Sequence, residues 1–325
     1  MRLLTVGIPV YNAMPFLPEA VESVLRQTYP DFDLLVVDDG STDGGPDYLR
    51  SVSDPRVRVI RQENRGMSNA LNRMLREINT PWLVRQDADD LADEHRLEVI
   101  IQHINQYPSA GMFYSHATYH GLGPDRVLFR STIGTPEVLR NVTRAGYTLA
   151  ICHPTAVLHA EKTLRLGGYR PALRAAQDAD LWWRIALSHD IRFIPQTTLA
   201  YRLTLSGLST ANFLLQAKES LYAQYMLLSS LWALDPKPFD QVEECLRSMV
   251  DLQRLHYRDH LRRCGMAWGD RQWLQFLGHA VAAAWISPAG LLERVRYRPD
   301  GAKLTVNGVN PLLFARRSDE LWPLA

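Results

Sequence analysis

The decapeptide PWLVRQDADD, residues 81–90, sets Asp87, Asp89 and Asp90 directly behind an apolar run that reads as a buried strand. In VVDDGSTDG, Asp38 and Asp39 end a second such run, and Tyr11 and Asn12 follow a third in GIPVYN. One more carboxylate, Asp178, lies near the start of the segment QDADLWWR. Four or five carboxylates converging on one crevice repel each other unless a cation sits among them or ligand hydroxyls donate hydrogen bonds to them. A hard divalent ion is the economical answer.

Positioning such groups requires a wound α/β layer. From residue 3 to about 120, β-rich runs (LLTVGIPV, FDLLVVDD, VRVIRQ, PWLVRQDAD, AGMFYSHATYH) alternate with PEAVESVLRQ, MSNALNRMLREI and HRLEVIIQHINQY, whose apolar residues recur every three or four positions. That alternation marks βαβ units and a mostly parallel, Rossmann-like sheet flanked by helices. In open sheets of this kind ligands bind beyond the carboxyl ends of the strands, where these side chains lie. After a helical insertion, TPEVLRNVTRAG, the runs HPTAVLHA, DADLWWRIALSHD and IRFIPQTTLAYRL read as strand, helix and strand of the same layer. From about residue 206 the pattern turns helical in FLLQAKESLYAQYMLLSSLW, FDQVEECLRSMVDLQRLHYRDHLRRCG and RQWLQFLGHAVAAAW. The expected organisation is an α/β domain over 1–205 and a helical region over 206–325.

Composition narrows the function classes. The 325 residues are 46% hydrophobic, ample for a packed core, and a net charge of +1 offers no field for nucleic acid. Cys152, Cys245 and Cys264 are widely spaced with no CxxC pairing, so a disulfide framework or zinc site is not expected and a reducing cytosol is. The opening MRLLTVGIPVYN reads as a first strand rather than an export signal, and FLGHAVAAAWISPAGLL falls short of the roughly 20 apolar residues a membrane span needs. Neither GxGxxG nor GxxxxGK[ST] follows the first strand, so the backbone cradles that hold phosphate in dinucleotide and P-loop proteins are missing. A bound diphosphate would then need Mg²⁺ or Mn²⁺ held by carboxylates.

The ordered set TVGIPVYNAMPFLPEAVESVLRQTYPDFDLLVVDDGSTDG, ENRGMSNALN, QDADD, GGYR and QDADLWWR resembles the family 2 glycosyltransferases of the GT-A fold, over roughly residues 3–210. The resemblance implies an inverting, metal-dependent transferase with a nucleotide-sugar half at about 1–120 and an acceptor half at about 121–205. It implies that the Tyr11 ring stacks on the nucleobase, Asp39 hydrogen-bonds the base, and Asp87 lies near the ribose. Asp89 would hold Mn²⁺ or Mg²⁺ against the diphosphate, and Asp178 would be the general base that deprotonates the acceptor hydroxyl. At the start of an amphipathic helix, Asp178 is also favoured as an ionised carboxylate by the helix dipole. A UDP-sugar is the expected donor and a glycan or lipid-linked glycan the acceptor, as in cell-surface polysaccharide biosynthesis. A dTDP- or GDP-sugar donor, or a catalytically silent sugar-nucleotide- or glycan-binding subunit, is the alternative. A nucleotidyltransferase is disfavoured because YNAMPFLPE lacks a glycine-rich basic loop.

Each residue also has a plainer use. Asp178 alone reads as a helix N-cap, Asp38 as a turn former, and Asp90 or Asp93 as the start of the helix at EHRLEV, so Asp38, Asp90 and Asp93 are left outside the site. His153 and His159 read as structural, and Trp183 lies off the buried face expected for its helix, where a sugar could meet it. Two positions depart from the family pattern: Gln177 where glutamate is usual before the base, and Thr204 at a usual histidine, which would leave Arg202 or a neighbour to replace its contact. The tail holds 14 Lys plus Arg against 12 Asp plus Glu, and its ERVRYR beside apolar AWISPAGLL allows peripheral contact with the inner face of a membrane.

Overall fold

The computed structural model describes residues 2–120, 128–203, 213–269, 272–287 and 307–322. Thr204 and the ERVRYR cluster lie outside the described residues.

Strand β1 (Leu4–Val10) is buried along its whole length, as expected of a strand covered on both faces. It pairs in parallel with β2 (Asp33–Asp38) on one side and β4 (Trp82–Arg85) on the other, and β2 pairs in parallel with β3 (Val57–Arg61). Helices α1 (Leu17–Leu25), α2 (Gly45–Ser51) and α3 (Met67–Glu77) make the crossovers. Then follow β5 (Leu91–Ala92), α4 (Arg96–Gln106), β6 (Met112–His120), α5 (Pro136–Arg144), β7 (Val157–His159), α6 (Ala160–Arg165), α7 (Gln177–Ser188) and β8 (Ile191–Arg202). The sheet runs β3-β2-β1-β4-β7-β6-β8-β5, with β7 antiparallel to β4 and β6, β6 parallel to β8, and β5 antiparallel to β8. Two apolar clusters cover its faces, one built around Leu35, Leu71, Leu83 and Trp182, the other around Ile8, Val36, Val84 and Phe113.

Two expected elements divide. HPTAVLHA is not one strand: His153–Thr155 forms a 3₁₀ turn, β7 follows, and the last residue opens α6. Pro154 has no N–H to give a central ladder, so the strand begins only at Val157. The single helical run at 239–265 is two helices, α9 (Phe239–Ser248) and α10 (Leu252–Gly269). There Asp251 Oδ1 accepts from the Arg254 N–H at 2.9 Å, an N-cap bond that starts a new helix.

The helical region packs on the sheet domain. Helix α8 (Phe213–Trp232) lies against α7, and Tyr222, Tyr225 and Leu228 share a core with Leu173, Val242, Leu246 and Phe314. Gln224 donates to the Gly146 and Val309 carbonyls, and Asn307 pairs with Thr148. Helices α11 (Trp273–Ile286), α12 (Leu312–Ala315) and α13 (Ser318–Leu321) complete the described chain.

The loop entering α7 is fastened to α3. Buried Asn72 donates to the Tyr169 carbonyl at 2.7 Å and accepts from the Tyr169 N–H at 2.8 Å. Asn72→Ala leaves both buried groups unpaired and is expected to lower stability by about 2–4 kcal/mol. Urea unfolding checks this, and an unchanged midpoint refutes it.

Candidate active site

Parallel pairing brings the strand ends together. The Asp39 N–H donates to the Val10 carbonyl and the Gln86 N–H to the Gly7 carbonyl, so the residues after β1, β2 and β4 share one edge. There a cavity of about 610 Å³ is lined by Tyr11, Asp39, Arg85, Asp87, Asp89, His153, Gln177, Asp178 and Arg202, among others. Asn12 takes a left-handed backbone (φ 49°), and its Oδ1 accepts from the Thr42 N–H at 2.8 Å. This strap ties the turn after β1 to the turn after β2 and leaves Tyr11 54% exposed at the rim.

Asp38 and Asp39 do different things. Asp38 is a turn former: it accepts from the Ser41 N–H at 2.8 Å and pairs with Arg61. Asp39 is wrapped by the following loop, its Oδ1 accepting from Gln62 Nε2 (2.7 Å) and the Arg65 N–H (3.0 Å), its Oδ2 from the Gly66 N–H (2.7 Å). Gly66 has φ 85° and ψ 162°, a conformation open to glycine almost alone. Oδ2 keeps one lone pair for a ligand donor.

The acidic group past β4 is larger than expected. Asp87, Asp89 and Asp90 bring carboxylate oxygens within 4.8 Å of one another. Asp90 is not a helix start, since α4 begins at Arg96 with His95 before it. It is buried beneath the site, accepts from the Arg202 N–H at 2.8 Å through Oδ1, and leaves Oδ2 without a partner. Burial, then repulsion from Asp87, raises the Asp89 carboxyl to about 6, and burial followed by Asp87 and Asp89 pushes Asp90 well up. A crowded oxygen set with an unpaired buried oxygen fits a hard divalent cation.

Arginines answer part of the charge. Arg85, 2% exposed, pairs with Asp87 at 2.6 Å and leaves Nε and Nη1 unpartnered. Beneath it, buried Arg96 donates to Gln86 Oε1 and to the Arg85 and Pro154 carbonyls, clamping the end of β4 to the 3₁₀ turn. Arg202 packs its guanidinium over the Phe16 ring and pairs with Glu19 at 2.6 Å while lining the cavity.

Asp178 lines the same cavity. It is the second residue of α7, not its cap; Ala176 holds that position without a side-chain bond. Its Oδ1 accepts from the Ala179 N–H at 2.8 Å. Burial lifts its carboxyl to about 6, with Ala179 and Arg85 opposing, so burial outweighs the dipole that the sequence emphasised. Gln177 is buried beside it with Oε1 unpartnered. Asp180, two residues on, is a structural ion pair with Arg184 and Arg170. His153 is held neutral by burial, its Nε2 2.9 Å from the Tyr169 hydroxyl. Trp183 is buried, contrary to its expected placement. Arg85 and Gln177 are the cavity residues that sequence reasoning underrated; Arg85, a cation inside an apolar strand run, carried a signal.

Known proteins agree with this architecture. The model of glycosyl transferase family 2 matches residues 5–160. EpsE of Bacillus subtilis is 29% identical over 192 residues, covering 56% of this chain and 66% of EpsE. The mannosyltransferase PcManGT from Pyrobaculum calidifontis, solved with GDP-Man and Mn²⁺, superposes with TM-score 0.54 at 22% identity, covering all of this chain and 89% of PcManGT. S. aureus TarS 1–349, solved with UDP, gives TM-score 0.53 at 16% identity, over 94% of this chain and 96% of that one. The chain spans less than two thirds of the curated relatives it first matches, including 36% of GlyG of Streptococcus pneumoniae serotype 4. Residues 5–160 thus resemble glycosyltransferase family 2, and the fold is of the GT-A type.

Proposed function

We propose that this chain is an inverting glycosyltransferase that moves a sugar from a nucleoside diphosphate donor, uridine-based, to a hydroxyl of a glycan or lipid-linked glycan in cell-surface polysaccharide synthesis. The observation that carries this is one cavity that Tyr11, Asp39, Asp87, Asp89 and Asp178 line together. Tyr11 offers an exposed ring for base stacking, and Asp39 Oδ2 keeps an acceptor for a base N–H. Asp89, with Asp87, would hold Mn²⁺ or Mg²⁺, which when bound neutralises charge on the leaving diphosphate. Arg202, which lines the same cavity, or a neighbour would supply the contact of the family histidine. Asp178 takes the acceptor proton as the hydroxyl oxygen attacks the anomeric carbon from the face opposite the leaving group, and the configuration inverts. The 1–205 transferase domain and the 206–325 helical region are the corresponding proposed units.

Thermal stabilisation by uridine, guanosine, cytidine and deoxythymidine diphosphates is measured with Mn²⁺ and then with chelator. Stabilisation by one base that chelator abolishes is expected, and Asp178→Ala should keep it while losing about 10²–10⁴ in turnover. No response to any nucleotide would favour a catalytically silent glycan-binding subunit.

Turnover is expected to depend on Asp178 being ionised. Its carboxyl titrates at about 6, so protonation disables the base as pH falls through that value. Below it, the rate should fall about tenfold per pH unit. A rate flat from pH 7 to 5 contradicts the assignment.

A peripheral membrane contact, placing the enzyme at the cytoplasmic face, is proposed for α11. Trp273, Leu274, Leu277, Val281 and Trp285 are exposed along it, Leu274 and Trp285 at 88%. The helix carries no charge, while neighbouring α10 carries Arg254, Arg258 and Arg263 against Asp259. Apolar residues with terminal tryptophans beside cations match the chemistry of an anionic bilayer surface. No helix among the described residues is long and apolar enough to cross a membrane. Flotation with phosphatidylglycerol vesicles is expected to carry the protein upward, and Trp285→Glu to weaken it. Protein left in the bottom fraction refutes the contact.

A further inference from the structure

Glu219, from the helical tail, makes a contact that no motif predicts. It projects from α8 and is 2% exposed. One oxygen, Oε2, accepts from three consecutive backbone N–H groups: Arg174 at 2.8 Å, Ala175 at 2.6 Å and Ala176 at 3.1 Å. Those residues lead into α7, and Arg174, Ala175, Gln177 and Asp178 line the cavity. One turn before Glu219, Gln216 lines it too.

The chemistry is that of a carboxylate held by a run of loop N–H groups. The residue at the N-cap position of α7 is Ala176, whose side chain cannot accept a hydrogen bond. A serine or aspartate there would accept from N–H groups in the first turn of α7, not from those of 174–176. These are met by a carboxylate from a helix more than 40 residues further along the chain, and the converging N–H groups offset the cost of burying it. Upstream the loop is already anchored, through Ser68 to the Leu173 carbonyl and through Asn72 to Tyr169. The stretch between Leu173 and the helix is the part Glu219 holds.

We propose that Glu219 is a positioning residue: its carboxylate fixes segment 174–176 and so sets where α7 begins and where Asp178 meets the acceptor. This rests on the reading of Asp178 as the base. It makes the helical region a structural part of the active site, because displacement of α8 moves the loop that carries Asp178.

Hydrogen exchange by mass spectrometry on the full chain tests the contact without any ligand. In Glu219→Ala, and in Glu219→Asp, which keeps the charge but loses reach, amides 174–176 are expected to exchange about tenfold faster or more. Glu219→Gln can set its carbonyl oxygen where Oε2 lies and should restore protection. With the donor chosen by the nucleotide panel, Glu219→Ala is expected to lower kcat about tenfold with KM within about twofold, and Glu219→Gln to recover it. Unchanged exchange in both the Ala and Asp variants overturns the proposal, as does a fall in Tm alone with kcat intact. If Glu219→Ala does not fold, the Asp variant decides. Turnover retained in Asp178→Ala would remove the base reading, whereas its loss there beside unaffected Glu219 variants defeats this inference alone.

Discussion

Carboxylates facing one cavity repel each other, and everything around this site answers that repulsion. Arg85 is buried in the sheet and aimed at Asp87, and Arg96 beneath it ties the carbonyl of Arg85 to that of Pro154. Breaking either clamp would leave a charge buried without its partner, a cost that disfavours relaxed arrangements of the strand ends. Arg85 is held in the sheet and Arg96 at the start of α4, so neither follows the ligand. What they leave uncompensated, at Asp89 and at the unpaired oxygen of Asp90, is the charge a divalent ion would meet.

The same economy governs the other wall. Asp178 is buried enough that its carboxyl titrates near 6, which is close to the useful range of a base at neutral pH. A fully solvated aspartate would be ionised but weak, and one buried without the Ala179 N–H and Arg85 nearby would stay protonated. The loop before it is tied to α3 through Ser68 and Asn72 and to α8 through Glu219, so three parts of the chain distant in sequence agree on the position of one side chain.

Much of this was legible beforehand because the relevant signals are local. Alternating apolar runs and three- to four-residue periodicity identified the strands and helices of the first half, and chemistry-bearing residues at strand ends marked the cavity edge. Boundaries failed where local chemistry competed with the pattern: Pro154 shortened β7, and Asp251 started a new helix within a continuous periodic run. The uses of Asp90, Asp178 and Trp183 depended on burial, which periodicity reports only approximately.

The sequence by itself determined the α/β order, the grouping of Asp39, Asp87 and Asp89 behind parallel strands, and the presence of Asp178 at the start of a helix. These follow from hydrophobic period and from the strand-end rule, both properties of short windows. Tertiary structure alone decided which carboxylates are neutralised, which carry raised titration points, and which distant side chains hold the loops. Charge compensation and desolvation depend on distances between residues such as Glu219 and Ala175, or Arg202 and Asp90, that no window of sequence contains.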